Sequence, residues 1–310
     1  MKPMLNNLEI AALDAGMAPA AASMTFPAYL HLLSLTPAPR HPEQGDTRLV
    51  QPVGLVARRG DVLLGLCLAE LAAKAEGGAE LLSLFVHPAH RNQGVATALL
   101  ERMESEVRRR GYDELKAVYM TGKPSIPMLE RVLWKRGWNA PVARTITLRF
   151  TPEEALATPW FQRVRLSPDF EVFPWEALTA PEREALIASN KLSPWVAPGL
   201  EAWRHDRNFD TVSSLGLRLR GDVVGWVINH RVAPGVVRFT CSFMGHGLGR
   251  RGRIMPLYTL SLERLREQGP WVCTFVTPVS YRTMVEFVKR RCAPWASFFG
   301  ETRGVRKPLP

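Results

Sequence analysis

Residues 91–97 read R-N-Q-G-V-A-T and join a short apolar run to a helical pattern. The run Leu81–Val86 is too short for a helix and is followed by a proline, which predicts a buried strand. Apolar residues then recur every four positions from Val95 to Val107, which predicts one apolar helix face. The first N–H groups of a helix lack intrahelical partners and carry partial positive charge. The turn is therefore a candidate anion site, suited to phosphate.

The side chains of this turn favour close approach of an anion to the backbone. Gly94 and Ala96 are small, so phosphate oxygens can come near the amides. Arg91 adds a fixed positive charge beside the turn. The residues expected to contact the anion are Arg91, Asn92, Gln93, Gly94, Val95, Ala96 and Thr97. The helix is expected to end at Arg108–Arg110 and Gly111, which suit the negative end of a helix dipole and a left-handed stop.

The stretch from Val86 to Ala96, V-x-P-x-x-R-x-x-G-x-A, resembles the acetyl-CoA pyrophosphate loop of GNAT-type N-acetyltransferases. The family core pattern is Gln/Arg-x-x-Gly-x-Gly/Ala, extended here by V-H-P before it and A-L-L after it. The alternative is an ordinary strand-to-helix connection in another α/β protein. The resemblance implies acetyl-CoA as cofactor, with pantetheine lying along Phe85 and Val86. It also implies that the central strand splays from its neighbour, so that an amide of Phe85 or Val86 polarises the thioester carbonyl.

Acetyl transfer to an amine requires a neutral amine, a polarised carbonyl and a protonated leaving thiolate. By resemblance Glu80 stands where some family members place a base, and the other interpretation is a solvated charge at the strand end. The family often places a Tyr as general acid where this chain has Leu133. Tyr119 is the remaining candidate acid, unless it only packs and water protonates the thiolate. Ser125 either contacts the cofactor, as in relatives, or caps the following helix.

The composition favours a two-domain protein. At 310 residues the chain is about twice the usual domain length, and 46% of its residues are hydrophobic. It has no apolar run long enough for a membrane span and no signal-peptide pattern at its N-terminus. The four cysteines show no C-x-x-C pair, which predicts buried, reduced thiols and a cytoplasmic location. They are Cys67, Cys241, Cys273 and Cys292.

The formal charge of +11 divides into net +4 for residues 1–150 and net +7 for residues 151–310. One interpretation is a basic protein whose scattered charges aid solubility. The other is an anionic partner, such as the phosphates of CoA, an acidic substrate or nucleic acid. The sequence leaves the oligomeric state undetermined.

The predicted elements occur in the same order twice. Residues 5–150 give strand, helix, three strands, helix, strand, helix and strand, and they resemble the GNAT fold throughout. Ser83-Leu84-Phe85 and Ser242-Phe243-Met244 lie 159 residues apart, about one domain, which indicates an internal duplication. The predicted class is α/β (α+β), with two GNAT-like domains at residues 1–150 and 160–310 and a linker at 151–160. Each is expected to be a mixed, mostly antiparallel sheet flanked by helices.

The corresponding turn in the second half, G-H-G-L-G-R-R-G-R-I-M-P, departs from the phosphate-loop pattern. Arg253 and Ile254 would crowd the backbone where a pyrophosphate should lie. We therefore expect a degenerate second domain and cofactor binding in the first domain only. A site for a different anion, built from the arginines of this turn, is the alternative. Trp195 lies in the region of the variable acceptor loop and is a candidate aromatic lid.

These observations together predict a cytoplasmic acyltransferase that moves an acetyl or short acyl group from acetyl-CoA to a primary amine of a small molecule or peptide. One alternative is a tRNA-dependent aminoacyl transferase of duplicated GNAT-like fold, for which the basic second half would be the footprint. The other is a non-catalytic acyl-CoA-binding module, because Leu133 replaces the usual acid. Nucleic acid is the less expected partner. The sequence does not identify the acceptor.

Overall fold

The computed structural model describes residues 7–41, 46–72, 78–161, 163, 165–245, 248 and 252–310. The chain forms two compact units. Unit 1 consists of Met1–Ala143 and Thr302–Pro310, and unit 2 consists of Arg144–Glu301. Most of the turn from Ala72 to Gly78, as well as Arg250 and Arg251, lie outside the described residues.

Unit 1 contains the following helices and strands in chain order: β1 Glu9–Ala12, α1 Ala18–Ala21, β2 Ala38–His41, β3 Asp46–Arg59, β4 Val62–Ala72, β5 Ala79–Val86, α2 Val95–Arg109, β6 Glu114–Met120 and α3 Ile126–Lys135. The C-terminal strand β13, Phe298–Pro308, completes it with residues 302–308. The hairpin of β3 and β4, the strand β5, the helix α2 and the strand β6 confirm the sequence predictions. The expected helix over residues 19–33 is instead the single turn α1 followed by 3₁₀ segments.

The sheet of unit 1 has the order β1-β3-β4-β5-β6-β13, with β2 paired to β3. Only β5 and β6 are parallel, and the other described pairs in this unit are antiparallel. The helix α2 covers one face of the sheet, because its apolar stripe from Val95 to Val107 is buried there. Gly111, with φ 87°, follows this helix in the left-handed conformation that ends it.

Unit 2 contains, in chain order, β7 Val142–Phe150, α4 Pro152–Leu156, β8 Phe170–Pro174, α5 Ala180–Leu192, β9 Leu215–Leu219, β10 Asp222–Ala233, β11 Val236–Met244, α6 Met255–Gln268, β12 Val272–Pro278 and α7 Arg282–Phe287. The strand order is β7-β12-β11-β10-β9-β8. Again one pair, β11 with β12, is parallel, and the other described pairs in this unit are antiparallel. The expected fold class, α/β (α+β) with mixed and mostly antiparallel strand pairing flanked by helices, is confirmed.

The predicted linker at residues 151–160 contains a short helix. Residues 152–156 form α4, whose N-terminus is a capping box in which the Thr151 hydroxyl accepts from Glu154 N and the Glu154 carboxylate accepts from Thr151 N. Ala155 and Leu156 are buried in the core of unit 2. The T-x-x-E pattern of this capping box is visible in the sequence.

The last strand of each half joins the sheet of the other half. Residues 145–150 of β7 pair with β12 in unit 2, whereas residues 302–308 of β13 pair with β6 in unit 1. The division by sequence order into 1–150 and 160–310 therefore differs from the compact units. The strand β13 was not predicted from the sequence. Hydrophobic alternation predicts that a segment is a strand, but it does not specify the sheet that the strand joins.

All four cysteines are buried and form no disulfide, as predicted. Burial raises the pKa of the Cys241, Cys273 and Cys292 thiols to about 12. Among the described residues, no helix combines the length and hydropathy needed to cross a membrane.

Candidate functional site

The two parallel strands of unit 1 separate at their carboxyl ends. β5 and β6 are paired from Ala79↔Leu115 to Leu81↔Ala117. Beyond that pair β5 continues to Val86 and β6 to Met120. A bulge in β5 at Leu82, where the register against β4 shifts, lies at the point where the strands part. The splay implied by the family resemblance is therefore present, and it opens a groove beside the last four residues of β5.

The register of β4 and β5 determines which amides face this groove. His87 N donates to Leu64 O at 2.8 Å, so residue 87 faces β4. Residues along an antiparallel strand alternate between facing the partner strand and facing away. The N–H groups of Val86 and Leu84 consequently point toward the gap, whereas that of Phe85 points toward β4. Leu84 was not predicted as a site residue, although it lies two residues before Val86 in the strand and so faces the same way.

Two contacts hold the end of β5 in this position. Arg91 donates from Nε to Val86 O at 3.1 Å, which ties the charged turn to the strand. On the other side, Gly65 lies opposite Val86, and a Cβ on it would stand 2.6 Å from Phe85 O. Only glycine permits this close approach. The end of β5 is thus held by one side-chain hydrogen bond, from Arg91, and by one close backbone approach, at Gly65.

The turn before α2 exposes the N-terminus of that helix. Gly94, at the N-cap, has φ 87°, and Asn92 has φ 62°, so both adopt the left-handed conformation. No described side chain caps the helix, and its first turn carries no acidic residue. Gln93 donates from Nε2 to Ala89 O at 3.2 Å and so faces back into the turn. Uncapped amides, a helix dipole and Arg91 are the features that the predicted diphosphate site requires.

The two faces of β5 have different neighbours. Leu84 and Val86 pack on the α2 side with the core of unit 1. Phe85 packs on the opposite face, beside Met24 and Tyr29. Because side chains alternate along a strand, Glu80, which lies between the α2-side residues 79 and 81, is directed to the same face as Phe85. That face lies opposite α2.

Glu80 is half-buried and stands opposite buried Glu70 in β4 and opposite Lys116 in β6. It lies four residues before Leu84, a separation of about 13 Å along a strand. Direct proton transfer over that distance is not possible, whereas transfer through ordered water is.

Tyr119 has a hydrogen-bond partner in the structure. Its hydroxyl donates to Glu130 Oε1 at 2.8 Å, and the Arg303 guanidinium contacts the same oxygen at 2.8 Å. Burial, followed by the hydrogen bond to the Glu130 carboxylate, raises the pKa of Tyr119. A phenol with these neighbours is a weak acid. Its partner Arg303 comes from β13, so sequence reasoning on the first half had no means of finding it.

The remaining predicted positions are placed as follows. Leu133 is buried in the core of unit 1, so it occupies a packing position where the family has an acid. Ser125 is exposed at the start of α3, and its side chain does not cap the helix. Thr97 and Ala96 lie half-buried in the first turn of α2. The structure thus brings residues 84–86 and 91–97 to one end of the sheet, with Tyr119 at the end of the neighbouring strand.

Both units have the mixed sheet with one splayed parallel strand pair and a covering helix that is typical of a tandem GNAT fold. Residues 25–133 match the model described as the acetyltransferase (GNAT) family. No curated protein sequence matches the chain.

Solved structures agree with this fold. A tandem GNAT protein from the clavulanic acid biosynthesis pathway, determined without AcCoA, is 15% identical, with a TM-score of 0.55, and the match covers 98% of this chain and 99% of that one. A GCN5-related N-acetyltransferase from Sphaerobacter thermophilus is 15% identical, with a TM-score of 0.58, covering 99% and 97%. A fungal glucosamine N-acetyltransferase region within a multi-domain β-N-acetylglucosaminidase is 13% identical, with a TM-score of 0.57, covering 96% and 38%. At these identities the likeness establishes the fold alone.

Proposed function

We propose that this protein transfers an acetyl or other short acyl group from acetyl-CoA to a primary amine of a small molecule or peptide, with the cofactor in unit 1. The observation that carries the proposal is the alignment of two donor sets at one end of the sheet. One is the uncapped N-terminus of α2, and the other is the pair of gap-facing amides on β5. The four unpaired cysteines are consistent with a reducing compartment such as the cytoplasm.

The residues of the turn would hold the diphosphate. The backbone N–H groups from Gly94 to Thr97 lie at the N-terminus of α2, which no described side chain caps. Arg91 adds a charge that is already oriented by its bond to Val86 O. An arm leaving this site toward the amino end of β5 meets the Val86 N–H first and the Leu84 N–H two residues deeper. The cofactor supplies an activated thioester.

The deeper amide would polarise the thioester carbonyl. A backbone N–H held by the sheet needs no reorganisation when negative charge develops on the oxygen. The resemblance to GNAT proteins suggested Phe85 or Val86 for this role, and the alternation of the strand favours Val86 and Leu84 instead. Glu80, on the face of β5 opposite α2, is proposed to take the amine proton through water.

Calorimetry with acetyl-CoA tests the cofactor site. Gly94→Trp places a bulky side chain at a backbone with φ 87° in the turn, and we expect it to abolish binding. Gly111→Trp is the matched control, because Gly111 has the same φ of 87° at the other end of the same helix, and a Cβ there meets nothing within 4 Å. Binding by the control but not by Gly94→Trp supports the proposal. Equal binding by both variants, or none by the wild type, contradicts it.

One observation favours a second candidate, the non-catalytic acyl-CoA-binding module. Leu133 is buried in the core, and the Tyr119 hydroxyl donates a hydrogen bond to Glu130. Neither of these two described residues is therefore well placed to protonate a leaving thiolate. Acetyl-CoA consumption with a panel of primary amines separates the two functions. Binding without turnover on any amine would favour the module.

A further inference from the structure

The helix α7 continues into a π-helical turn, Val288–Cys292, and the two form one helical segment at the surface of unit 2. Val285, Val288 and Cys292 of this segment are buried in the core of unit 2. The other residues of the segment are exposed, as is Tyr281, which precedes it. The segment therefore has a narrow buried side and a broad side in solvent. The exposed residues between positions 281 and 291 are called the outer face below.

Three large apolar side chains lie on the outer face at a spacing of three residues. Tyr281 is 41% exposed, Met284 36% and Phe287 37%. Residues three apart on a helix are neighbours, so the three side chains form one stripe. The Tyr281 hydroxyl donates to Pro198 O at 3.1 Å, and the Phe287 ring packs edge to face with Trp160, with centroids 5.6 Å apart. These contacts hold the apolar stripe at the surface.

Positive charges border the apolar stripe. Arg282, Lys289, Arg290 and Arg291 are exposed, and Glu286 is the one acid between positions 282 and 291, so this stretch carries net +3. Glu286 pairs with Arg290 at 3.3 Å. Among the described residues, the other three cations have no carboxylate within ion-pair distance. Two copies of this face would repel each other, whereas an anionic surface would be attracted.

The side chains of the outer face favour a lipid surface over nucleic acid. Single-stranded nucleic acid is bound by aromatic rings on which bases stack. Here the Phe287 ring is already packed with Trp160, and Met284 has no ring to offer. Apolar side chains beside lysine and arginine are instead typical of helices at a membrane surface. There the cations meet lipid phosphates and the apolar side chains reach the acyl boundary.

We propose that the outer face docks on an anionic phospholipid surface and holds the protein there as a peripheral protein. Tyr281, Met284 and Phe287 enter the headgroup boundary, and Lys289 and Arg291 contact lipid phosphates. The apolar stripe is short, so it binds neutral lipid weakly and the attachment depends on the anionic headgroups. This docking requires no acyl-CoA and is independent of the proposed function.

Vesicle flotation of the whole chain tests the docking. The probes are vesicles of phosphatidylcholine alone and vesicles in which about a third of the lipid is phosphatidylglycerol. We expect the wild type to bind the anionic vesicles more tightly than the neutral ones by about tenfold or more. Binding should also weaken as salt is raised, because exposed charges are screened. Equal binding to both kinds of vesicle, or binding to neither, would overturn the proposal.

Charge reversal separates the outer face from the general charge of the protein. Lys289→Glu combined with Arg291→Glu should weaken binding to the anionic vesicles by about twentyfold or more, because each cation near a membrane contributes about fivefold. Arg207→Glu combined with Arg238→Glu is the matched control, since both arginines are exposed in unit 2 and the net charge changes equally. The control should lose less than about threefold. Equal losses in the two double variants would exclude docking through the outer face.

Met284→Gln removes part of the apolar stripe without changing the charge. Binding to the anionic vesicles should weaken by about threefold, because the exposed part of the methionine no longer enters the lipid. Leu192→Gln is the control, since Leu192 is 89% exposed at the end of α5. Suppose that Met284→Gln binds vesicles like the wild type, while the double variant Lys289→Glu with Arg291→Glu loses binding to single-stranded poly(U). The outer face would then be a nucleic-acid surface, and the lipid proposal would be wrong.

Oxidation of the wild-type protein by hydroxyl radicals tests the proposal without a variant. Met284 is 36% exposed, and Met128, on α3 of unit 1, is 40% exposed, so the two should react similarly in solution. Anionic vesicles are expected to slow the oxidation of Met284 by about threefold and to leave Met128 unchanged. No protection of Met284, or equal protection of both methionines, would contradict docking through the outer face. None of these results affects the cofactor site of unit 1, which Gly94→Trp tests separately.

Discussion

Lys307 Nζ lies 2.6 Å from Glu104 Oε2, so an ammonium from the last strand of the chain neutralises a carboxylate buried on α2. Glu104 also accepts from Arg136 at 2.6 Å and from the Trp138 indole at 3.0 Å. Leu309 N donates to Asp113 O nearby, at 2.6 Å. The helix that carries the candidate phosphate turn is therefore anchored by residues near position 310.

Lys307→Met is expected to destabilise the protein, because it removes one partner of a buried carboxylate. Arg136 and Trp138 remain, so the loss should be about 1–3 kcal/mol in the free energy of unfolding. Urea denaturation measures it. Lys289→Met is the control, since Lys289 is exposed in unit 2. Equal stability of the two variants would show that the Lys307 contact does not anchor α2.

Arg91→Ala is expected to weaken acetyl-CoA binding by about tenfold, because a charge-assisted bond to the diphosphate is lost together with the tie to Val86 O. Calorimetry at two salt concentrations measures the change, and the variant should show the weaker salt dependence. Arg102→Ala, exposed on α2, should bind like the wild type. An unchanged affinity in Arg91→Ala would remove Arg91 from the site.

Tyr119→Phe tests the assignment of Tyr119 as general acid, which stays a prediction. Because its hydroxyl donates to Glu130 and its pKa is raised by burial, we expect kcat to fall by less than about threefold. Loss of the hydrogen bond should cost about 1 kcal/mol of stability. A general acid typically contributes on the order of 10²–10⁴-fold to the rate. A fall of about a hundredfold in kcat, with a change in the alkaline limb of the pH profile, would identify Tyr119 as the acid after all.

Glu80→Gln tests the proposed water-mediated base. If Glu80 takes the amine proton, kcat should fall by about 10²-fold while the affinity for acetyl-CoA stays unchanged. Glu101→Gln, exposed on α2, is the control. Activity close to wild type in Glu80→Gln would leave Glu80 as a structural strand residue.

Acid should weaken the contact of α5 with the sheet of unit 2. Hydrogen bonds from Arg218 and from Thr179 N lower the pKa of Glu182 to about 2. A lowered pKa stabilises the fold above the unfolded-state value of 4.5, and this stability is lost as the pH falls toward 2. Glu182→Gln should therefore lower the unfolding free energy by about 0.5–1 kcal/mol at pH 7, discounted for exposure.

The difference between the wild type and Glu182→Gln should shrink between pH 4.5 and pH 2. Thermal melts across this range measure it. Glu184→Gln, exposed on the same helix, should show no such trend. A difference that is constant with pH would mean that the charge of Glu182 does not stabilise the fold.

The local sequence pattern alone predicted β5, α2 and the turn between them, where the candidate phosphate site lies. The periodicity of four from Val95 and the small residues Gly94 and Ala96 are properties of adjacent residues, so the sequence carries them directly. Most strands and helices in both halves were predictable for the same reason, whereas β13 was not. The capping box at Thr151 was also visible in the sequence, although residues 151–160 were predicted to be a linker.

Tertiary structure alone decided which sheet each terminal strand joins and which amides face a groove. β7 pairs with β12 and β13 pairs with β6 because strand pairing depends on contacts far apart in sequence, such as Lys307 with Glu104. The exclusion of Phe85 in favour of Leu84 and Val86 follows from one hydrogen bond, His87 to Leu64, which sets the register. A one-residue change in register reverses every backbone donor, and no local pattern specifies it.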